Sequence, residues 1–321
     1  MEKSIRVFSY AKINLSIDVG NIMPSGMHPV DMVMQQIALH DDVNVKYSDS
    51  HKRDGTESMG GFSISLSSNR RFLPNNKYNL AWRAATLMIE EYGNRIETKG
   101  SLEISLFKRI PVAAGMAGGS SNAAAVMHAI NALWDLDLSL DELCEKGAVL
   151  GSDIPFCLIA QAKCNNNLPH KIVSSPKVGA CARARGTGTD LQIVTPLRAG
   201  ILVATPKMGV STGSVFSAID SCEIVERPDN DALCRALKRR RREDVFPEMI
   251  NVLEEVTLKE YPEVAKLKQL MTELCHNAEK VLMSGSGPTI YAVFFDVNSP
   301  KEFSTILREK DYICYWTKTM L

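Results

Sequence analysis

No Cys-x-x-Cys pair occurs in this chain of 321 residues. Its eight cysteines (Cys144, Cys157, Cys164, Cys181, Cys222, Cys234, Cys275, Cys314) are scattered and share no metal-site spacing with histidine. That argues against a zinc site and a disulfide framework, and for a reduced compartment. Net charge is also missing, because 37 basic residues balance 37 acidic ones, so bulk electrostatics gives no footprint for nucleic acid. No run of about eighteen apolar residues is present. The opening MEKSIRVFSY has neither an apolar h-region nor an Arg/Ser-rich presequence. The expectation is a cytoplasmic chain without a membrane or nucleic-acid partner. There is no internal repeat and no low-complexity tract. What remains is ordinary for a globular protein: 45% apolar and 23% charged residues, with a length that suggests two domains.

The stretch that organises the chain is PVAAGMAGGSSNAAA, Pro111 to Ala125. Upstream, Leu102, Ile104 and Leu106 alternate with polar residues, which predicts a strand; downstream, Ala123, Val126, Met127, Ile130 and Leu133 recur at helical spacing. Strand, small-residue turn, helix is the order of a phosphate cradle. Gly115, Ala117, Gly118 and Gly119 let backbone approach an anion, and Ser120 and Ser121 stand where helix N–H groups are free. Tight packing alone would give the same pattern. A Walker A loop is excluded, since no Gly-Lys-Ser/Thr occurs, and the glycines lack the G-x-G-x-x-G spacing of a dinucleotide fingerprint.

Ser9 to Val19 alternates strictly and predicts an amphipathic strand, with Lys12 and Asn14 on one face about 7 Å apart; the pair reads as a solvated face or as a functional one. Pro24-Ser25-Gly26 is a turn, and His28 after it is a surface residue, a cap or a ligand contact. Val33 to Tyr47 reads as strand, Asp41-Asp42 turn, strand, followed by a hairpin loop over His51–Gly61 and a strand over Phe62–Ser67. Asn79 is placed to cap a helix running to about Tyr92, and Ser139 with Glu142 forms a capping box. Ser152 or Asp153 stands where the next helix starts, and Asp153 reads either as an ordinary cap or as a base beside the phosphate loop. Gln161 to Lys177 reads as an exposed excursion near the domain boundary. A short strand and turn is expected over Gly179–Gly188, another strand over Gly200–Thr205, and a helix over Thr212–Ile219. The basic run Arg239–Arg242 reads as a solvated helix face. Gly285, Ser286 and Gly287 form a second small-residue turn between strands. Two such turns suggest one polyphosphate site bounded by both domains.

Three stretches together, Ala11-Lys-Ile-Asn-Leu15, Pro111-Val-Ala-Ala-Gly-Met-Ala-Gly-Gly-Ser-Ser-Asn-Ala-Ala124 and Met283-Ser-Gly-Ser-Gly287, resemble the three motifs of the GHMP kinases, the superfamily of galactokinase, homoserine kinase and mevalonate kinase. Within it, A-K-I-N-L, P-S-G-M-H, G-G-S-S-N-A-A and L-G-S-D-I-P-F are similar to the branch that phosphorylates a cytidylated methylerythritol. The resemblance covers nearly the whole chain. It implies an α+β, two-domain GHMP kinase fold, with a ribosomal S5 domain 2-like ATP-binding part (1–163) and a ferredoxin-like part (164–321). It implies ATP and Mg²⁺. Asp153 would be the base for the substrate's C2 hydroxyl, with Lys12 beside it and the γ-phosphate. Asn14 and His28 would hold the erythritol and cytosine portions, with Phe216 packed on cytosine. Thr212 is a candidate neighbour of Asp153. The Gly115–Ser121 loop would wrap the phosphates, and Asn79 and Lys108 match positions near the adenine.

Met27 stands where the family commonly has an aromatic, and the Gln161–Lys177 connection is longer than usual. A GHMP kinase for another small alcohol, or a catalytically silent ligand sensor, therefore stays open. An intact Lys12/Asp153 pair argues against the sensor.

Overall fold

The computed structural model describes residues 2–24, 26–49, 57–295 and 301–321. Residues 51–56, the first part of the expected hairpin loop, and Ser25 in the expected turn lie outside them. The chain divides into two compact units, each made of three stretches.

The first unit holds Met1–Tyr10, His40–Ile110 and Gly118–Gly179. It takes the start of β1 (Glu2–Val19) and the end of β2 (Val30–Ser48), then β3 (Glu57–Met59), β4 (Phe62–Ser68), α1 (Leu80–Tyr92) and β5 (Ser101–Phe107). Helices α2 (Gly118–Leu133), α3 (Leu140–Ala148), α4 (Ile154–Cys164) and α5 (His170–Val173) follow. Strands run in the order β3-β4-β5-β2, with β1 also paired to β2. The β2–β5 register sets Val43 opposite Leu106 and Val45 opposite Ile104, so buried apolar side chains share a face. Alanines 123, 124, 125 and 129 are buried on α2, which packs against α1 and α4. Small side chains let these helices approach closely.

Two expectations fail in this unit. Asp41 and Asp42 make no turn; they lie inside β2, and Asp41 is fully buried. Its carboxylate accepts the backbone N–H groups of Arg109 (2.6 Å) and Ile110 (2.8 Å) and pairs with the Lys108 ammonium. Those partners, far away in sequence, make extended backbone the better state. The Gln161–Lys177 stretch is not simply exposed: α4 runs on to Cys164, and Gln161, Leu168 and Ile172 are buried. Asn165 ties it down, since its amide donates to the Phe8 carbonyl (3.1 Å) and accepts the Phe8 N–H (2.8 Å).

The second unit holds Ala11–Leu39, Pro111–Ala117 and Ala180–Leu321. Here the first part of β2 pairs antiparallel with β6 (Cys181–Gly186), and β6 with β7 (Asp190–Ile193). Next come β8 (Gly200–Thr205), α6 (Thr212–Ala218), α7 (Asn230–Arg239), α8 (Arg242–Val245), α9 (Glu254–Glu260), α10 (Pro262–Leu274), β9 (Lys280–Met283), β10 (Ile290–Phe294), α11 (Lys301–Glu309) and β11 (Ile313–Lys318). Their sheet has the order β11-β8-β10-β9. Strand, helices, strand, strand, helix, strand in that spatial order is the ferredoxin-like arrangement the resemblance implied.

The strand expected to be amphipathic is covered on both faces, with Lys12 5% exposed and Asn14 and Ser16 fully buried. Tyr291 donates its hydroxyl to the Asn14 carbonyl (2.7 Å), and Ser16 donates to the Asn230 side-chain oxygen (2.5 Å). The basic run is solvated, as expected, but not one helix. Arg240 takes a left-handed backbone (φ 56°, ψ 31°) that ends α7, and α8 starts at Arg242.

Candidate active site

Loop Pro111–Ala117 reverses its backbone residue by residue. Ala113 (φ 53°), Gly115 (φ 69°) and Ala117 (φ 54°) are left-handed, while Ala114 and Met116 between them are not. Such alternation turns successive N–H groups into a concave anion nest. Glycine is required at position 115, because a Cβ there would lie 2.2 Å from the Ser284 carbonyl oxygen. Ser284 in turn donates its hydroxyl to the Gly115 carbonyl (2.9 Å). The two small-residue turns, far apart in sequence, are thus packed on each other. Asn251 donates to the Met283 and Gly285 carbonyls (2.9 and 2.8 Å), and Thr257 to that of Ser286 (3.1 Å). The Thr212 hydroxyl is 3.0 Å from that of Ser286.

Lys12 adjoins the same loop, its backbone N–H donating to the Met116 carbonyl (3.2 Å). Its ammonium donates to the Asn14 side-chain oxygen (2.6 Å), and among the described residues it pairs with no carboxylate. The Asn14 amide is oriented from its other side by donation to the Met32 sulfur (3.3 Å). His28 and Phe216 also come together: ring centroids are 6.1 Å apart with a 49° tilt. His28 Nδ1–H donates to the Gly20 carbonyl (3.0 Å), and Nε2 stands 3.5 Å from the Asp220 carboxylate. Met27, before it, is 51% exposed.

In the first unit, Gly118, Gly119 and Ser120 open α2, where backbone N–H groups have no helical partner. A Cβ at Gly118 would lie 3.0 Å from Ile110 and 3.3 Å from the Lys108 ammonium. Behind this turn is a buried polar network. Ser121 donates its hydroxyl to the Tyr10 carbonyl (2.6 Å) and accepts from Ser9 (2.9 Å) and Gln161 (2.9 Å). Asn122 donates to Ser9 (2.8 Å) and Asp41 (3.0 Å) and accepts from Lys108 (2.8 Å). Burial pushes the Lys108 ammonium's pKa down, and the Asp41 carboxylate beside it pulls it back up. Asn79 caps α1, accepting the Ala81 N–H (3.0 Å) and donating to the Pro74 carbonyl (2.8 Å). Asp153, by contrast, stands at the N-cap position of α4 with Pro155 in the first turn, yet makes no capping hydrogen bond. Its carboxylate is half-buried and not used as a cap.

Asp41, Gln161, Asn251 and Met32 escaped the sequence reading. For Asp41 a signal existed: Ile37, Leu39, Asp41, Val43 and Val45 keep one strand phase, so the carboxylate falls on the buried face. Among the described residues no cluster of three or more His, Cys, Asp or Glu side chains could hold a metal. None of their helices is long and apolar enough to cross a membrane.

The family described as GHMP kinases N terminal domain matches residues 79–161, and that described as GHMP kinases C terminal matches residues 223–313. A 4-diphosphocytidyl-2-C-methyl-D-erythritol kinase of Alkaliphilus oremlandii is 38% identical over 297 residues, covering 91% of this chain and 88% of that protein. The enzyme of the same name from Bacillus licheniformis is 41% identical over 284 residues, covering 88% and 86%. The chain belongs to the 4-diphosphocytidyl-2-C-methyl-D-erythritol kinase family. A crystal structure of a 4-(cytidine 5'-diphospho)-2C-methyl-D-erythritol kinase superposes with a TM-score of 0.73 at 25% identity, covering 98% of this chain and 99% of that one. Homoserine kinase from Cytophaga hutchinsonii shares the fold at a TM-score of 0.66 and 16% identity, over 99% and 95% of the two chains. The α+β GHMP kinase fold read from three short motifs is the fold of this kinase family.

Proposed function

We infer that the chain is an ATP-dependent kinase that phosphorylates the C2 hydroxyl of 4-diphosphocytidyl-2-C-methyl-D-erythritol, in the non-mevalonate route to isoprenoid precursors. The observation that carries this reading is Lys12, a buried ammonium bonded to an amide oxygen and joined through its backbone to an anion nest. A buried cation beside a row of N–H donors calls for a polyanion. The names of the relatives say which acceptor goes with it.

When bound, ATP supplies the phosphoryl group and Mg²⁺ neutralises its charge. Such an ion keeps several waters and is held largely through the phosphates it accompanies. Lys12 stabilises the charge that develops in transfer, and the free carboxylate of Asp153 takes the acceptor's proton. Gly115, Ala117, Gly118, Gly119 and Ser120 offer backbone to the phosphates, and Ser121 fixes the start of α2 through its buried hydrogen bonds. Gly285, Ser286 and Gly287 back the loop. Asn79 and Lys108 are assigned to the adenine side, and Asn14, His28, Thr212 and Phe216 to the acceptor. We place the enzyme in the cytoplasm, acting on small molecules alone.

A coupled ADP-release assay with the cytidylated acceptor beside homoserine, mevalonate and galactose tests the reading. ADP is expected with the cytidylated alcohol alone. Comparable rates with a plain alcohol would overturn the acceptor assignment, and no ADP with any of them would overturn the kinase. Met27 supports a second reading, a kinase for another small alcohol, because a thioether faces a base less well than a ring does. If cytosine packs on Phe216 beside position 27, Met27→Tyr binds the cytidylated acceptor a few-fold tighter by calorimetry, within the roughly 1–3 kcal/mol worth of stacking. Weaker binding by a folded variant favours the other alcohol.

A further inference from the structure

The second unit contains a cavity of about 450 Å³ that the kinase reading does not use. Leu197, Leu237 and Val245 line it together with three arginines, Arg198, Arg240 and Arg242. Its place in the fold follows from strand register. Residues 197 and 198 lead into Gly200, where β8 starts opposite Phe294 of β10 and Lys318 of β11. The Gly285–Gly287 turn and Thr212 belong to the other end of the sheet, where Ala204 faces Ile290 and Thr205 faces Ile313. A six-residue strand separates the two ends, roughly 16 Å at 3.3 Å per step. The cavity is not part of the phosphate cradle.

Two features single it out. Among the described residues, none of the three arginines pairs with a carboxylate. Arg242 is held instead over the Phe295 ring, its guanidinium carbon 4.0 Å from the centroid. Arg240 is the left-handed residue that ends α7, at φ 56°. Glycine is the usual residue there, because a Cβ strains that conformation. The chain carries an arginine where the backbone favours glycine.

Planar guanidinium forks match phosphate oxygens bidentately. The leucine and valine wall suits a hydrocarbon, and the volume suits a small molecule rather than a macromolecular surface. We propose that this cavity is a second ligand site, selective for a diphosphate that carries a short apolar chain. Inorganic anions leave the apolar wall unfilled, and neutral alcohols leave the arginines unpaired.

Calorimetry on the full chain, with a non-hydrolysable ATP analogue at saturation to fill the nucleotide cradle, tests this with n-pentyl diphosphate, inorganic pyrophosphate and n-pentanol. One site is expected for pentyl diphosphate, with pyrophosphate at least about ten-fold weaker and pentanol silent. Arg240→Gly removes the guanidinium and relieves the backbone, so its melting temperature should hold or rise while affinity falls about ten-fold or more. Arg198→Gln should lose affinity similarly, and both variants should release ADP at the parent's rate. No binding of pentyl diphosphate, pyrophosphate binding as tight, or parent-like affinity in both variants would each overturn the proposal.

Discussion

Among the described residues, no carboxylate neutralises the ammonium of Lys12. A buried ammonium beside a single amide oxygen is costly, since withdrawing an ion from water costs several kcal/mol without a counter-charge. The position is therefore made for a ligand, and stability and function should oppose each other there. Lys12→Met fills a similar volume without the charge, so the ligand-free variant is expected to melt at or above the parent's temperature while turnover is lost. A clear drop in melting temperature would mean that the ammonium serves the fold. Asp153 is the complementary case. It stands at a helix start without acting as a cap, so Asp153→Asn should leave melting unchanged. Turnover should fall about 10²–10⁴-fold, the usual worth of a positioned base, with ATP affinity kept. Turnover within a few-fold of the parent would remove Asp153 from the chemistry.

At the scale of elements, the joint between the two small-residue turns is the critical one. A methyl at Gly115 would press into the Ser284 carbonyl at 2.2 Å, from a left-handed backbone at φ 69°. Gly115→Ala must therefore separate loop from turn, and nucleotide affinity measured by titration should fall at least about ten-fold. Gly186→Ala is the control: its φ is also positive (63°), but nothing lies within 4 Å of the added carbon. It should lose about 1 kcal/mol of stability from strain and no nucleotide affinity. Equal effects in the two variants would reduce the joint to backbone strain. The contrast also explains which parts of the fold were legible. Turns built on glycine, caps such as Asn79 and Ser139, and strands of strict alternation announce themselves locally, because backbone sterics and period act within a few residues. Asp41 and Gln161 did not. Their partners, Lys108 and Ser121, are brought to them only by the fold, and a local Asp-Asp pair looks like a turn until its burial is known. The covered polar face of β1 was hidden for the same reason, since Tyr291 and Asn230 arrive from far along the chain.

At the scale of the whole molecule, stability should depend on pH through one histidine. His128 is fully buried in α2, where Nε2–H donates to the Leu158 carbonyl (3.0 Å) and Nδ1 has no partner among the described residues. Burial pushes its pKa from 6.5 down to about 4. The folded protein keeps the ring neutral, while the unfolded chain takes up a proton as pH falls through 6.5. Between about pH 6.5 and 4 the unfolded state thus binds more protons, and the folded state is progressively disfavoured, by about 3 kcal/mol across the window. Above pH 6.5 the contribution is complete and flat. Burial pushes the Asp42 carboxyl up, but Arg109 and Arg6 together hold it low; hydrogen bonds from Ser139 and from Arg183 hold Glu142 and Asp231 low, so these three groups weaken the fold only at more acid pH. His128→Gln keeps a donor for the Leu158 carbonyl and cannot titrate. Urea unfolding at pH 7, 6, 5 and 4.5 should show the parent losing stability steadily below 6.5 while the glutamine variant stays nearly level. Parallel curves for the two proteins would place the acid sensitivity elsewhere in the molecule.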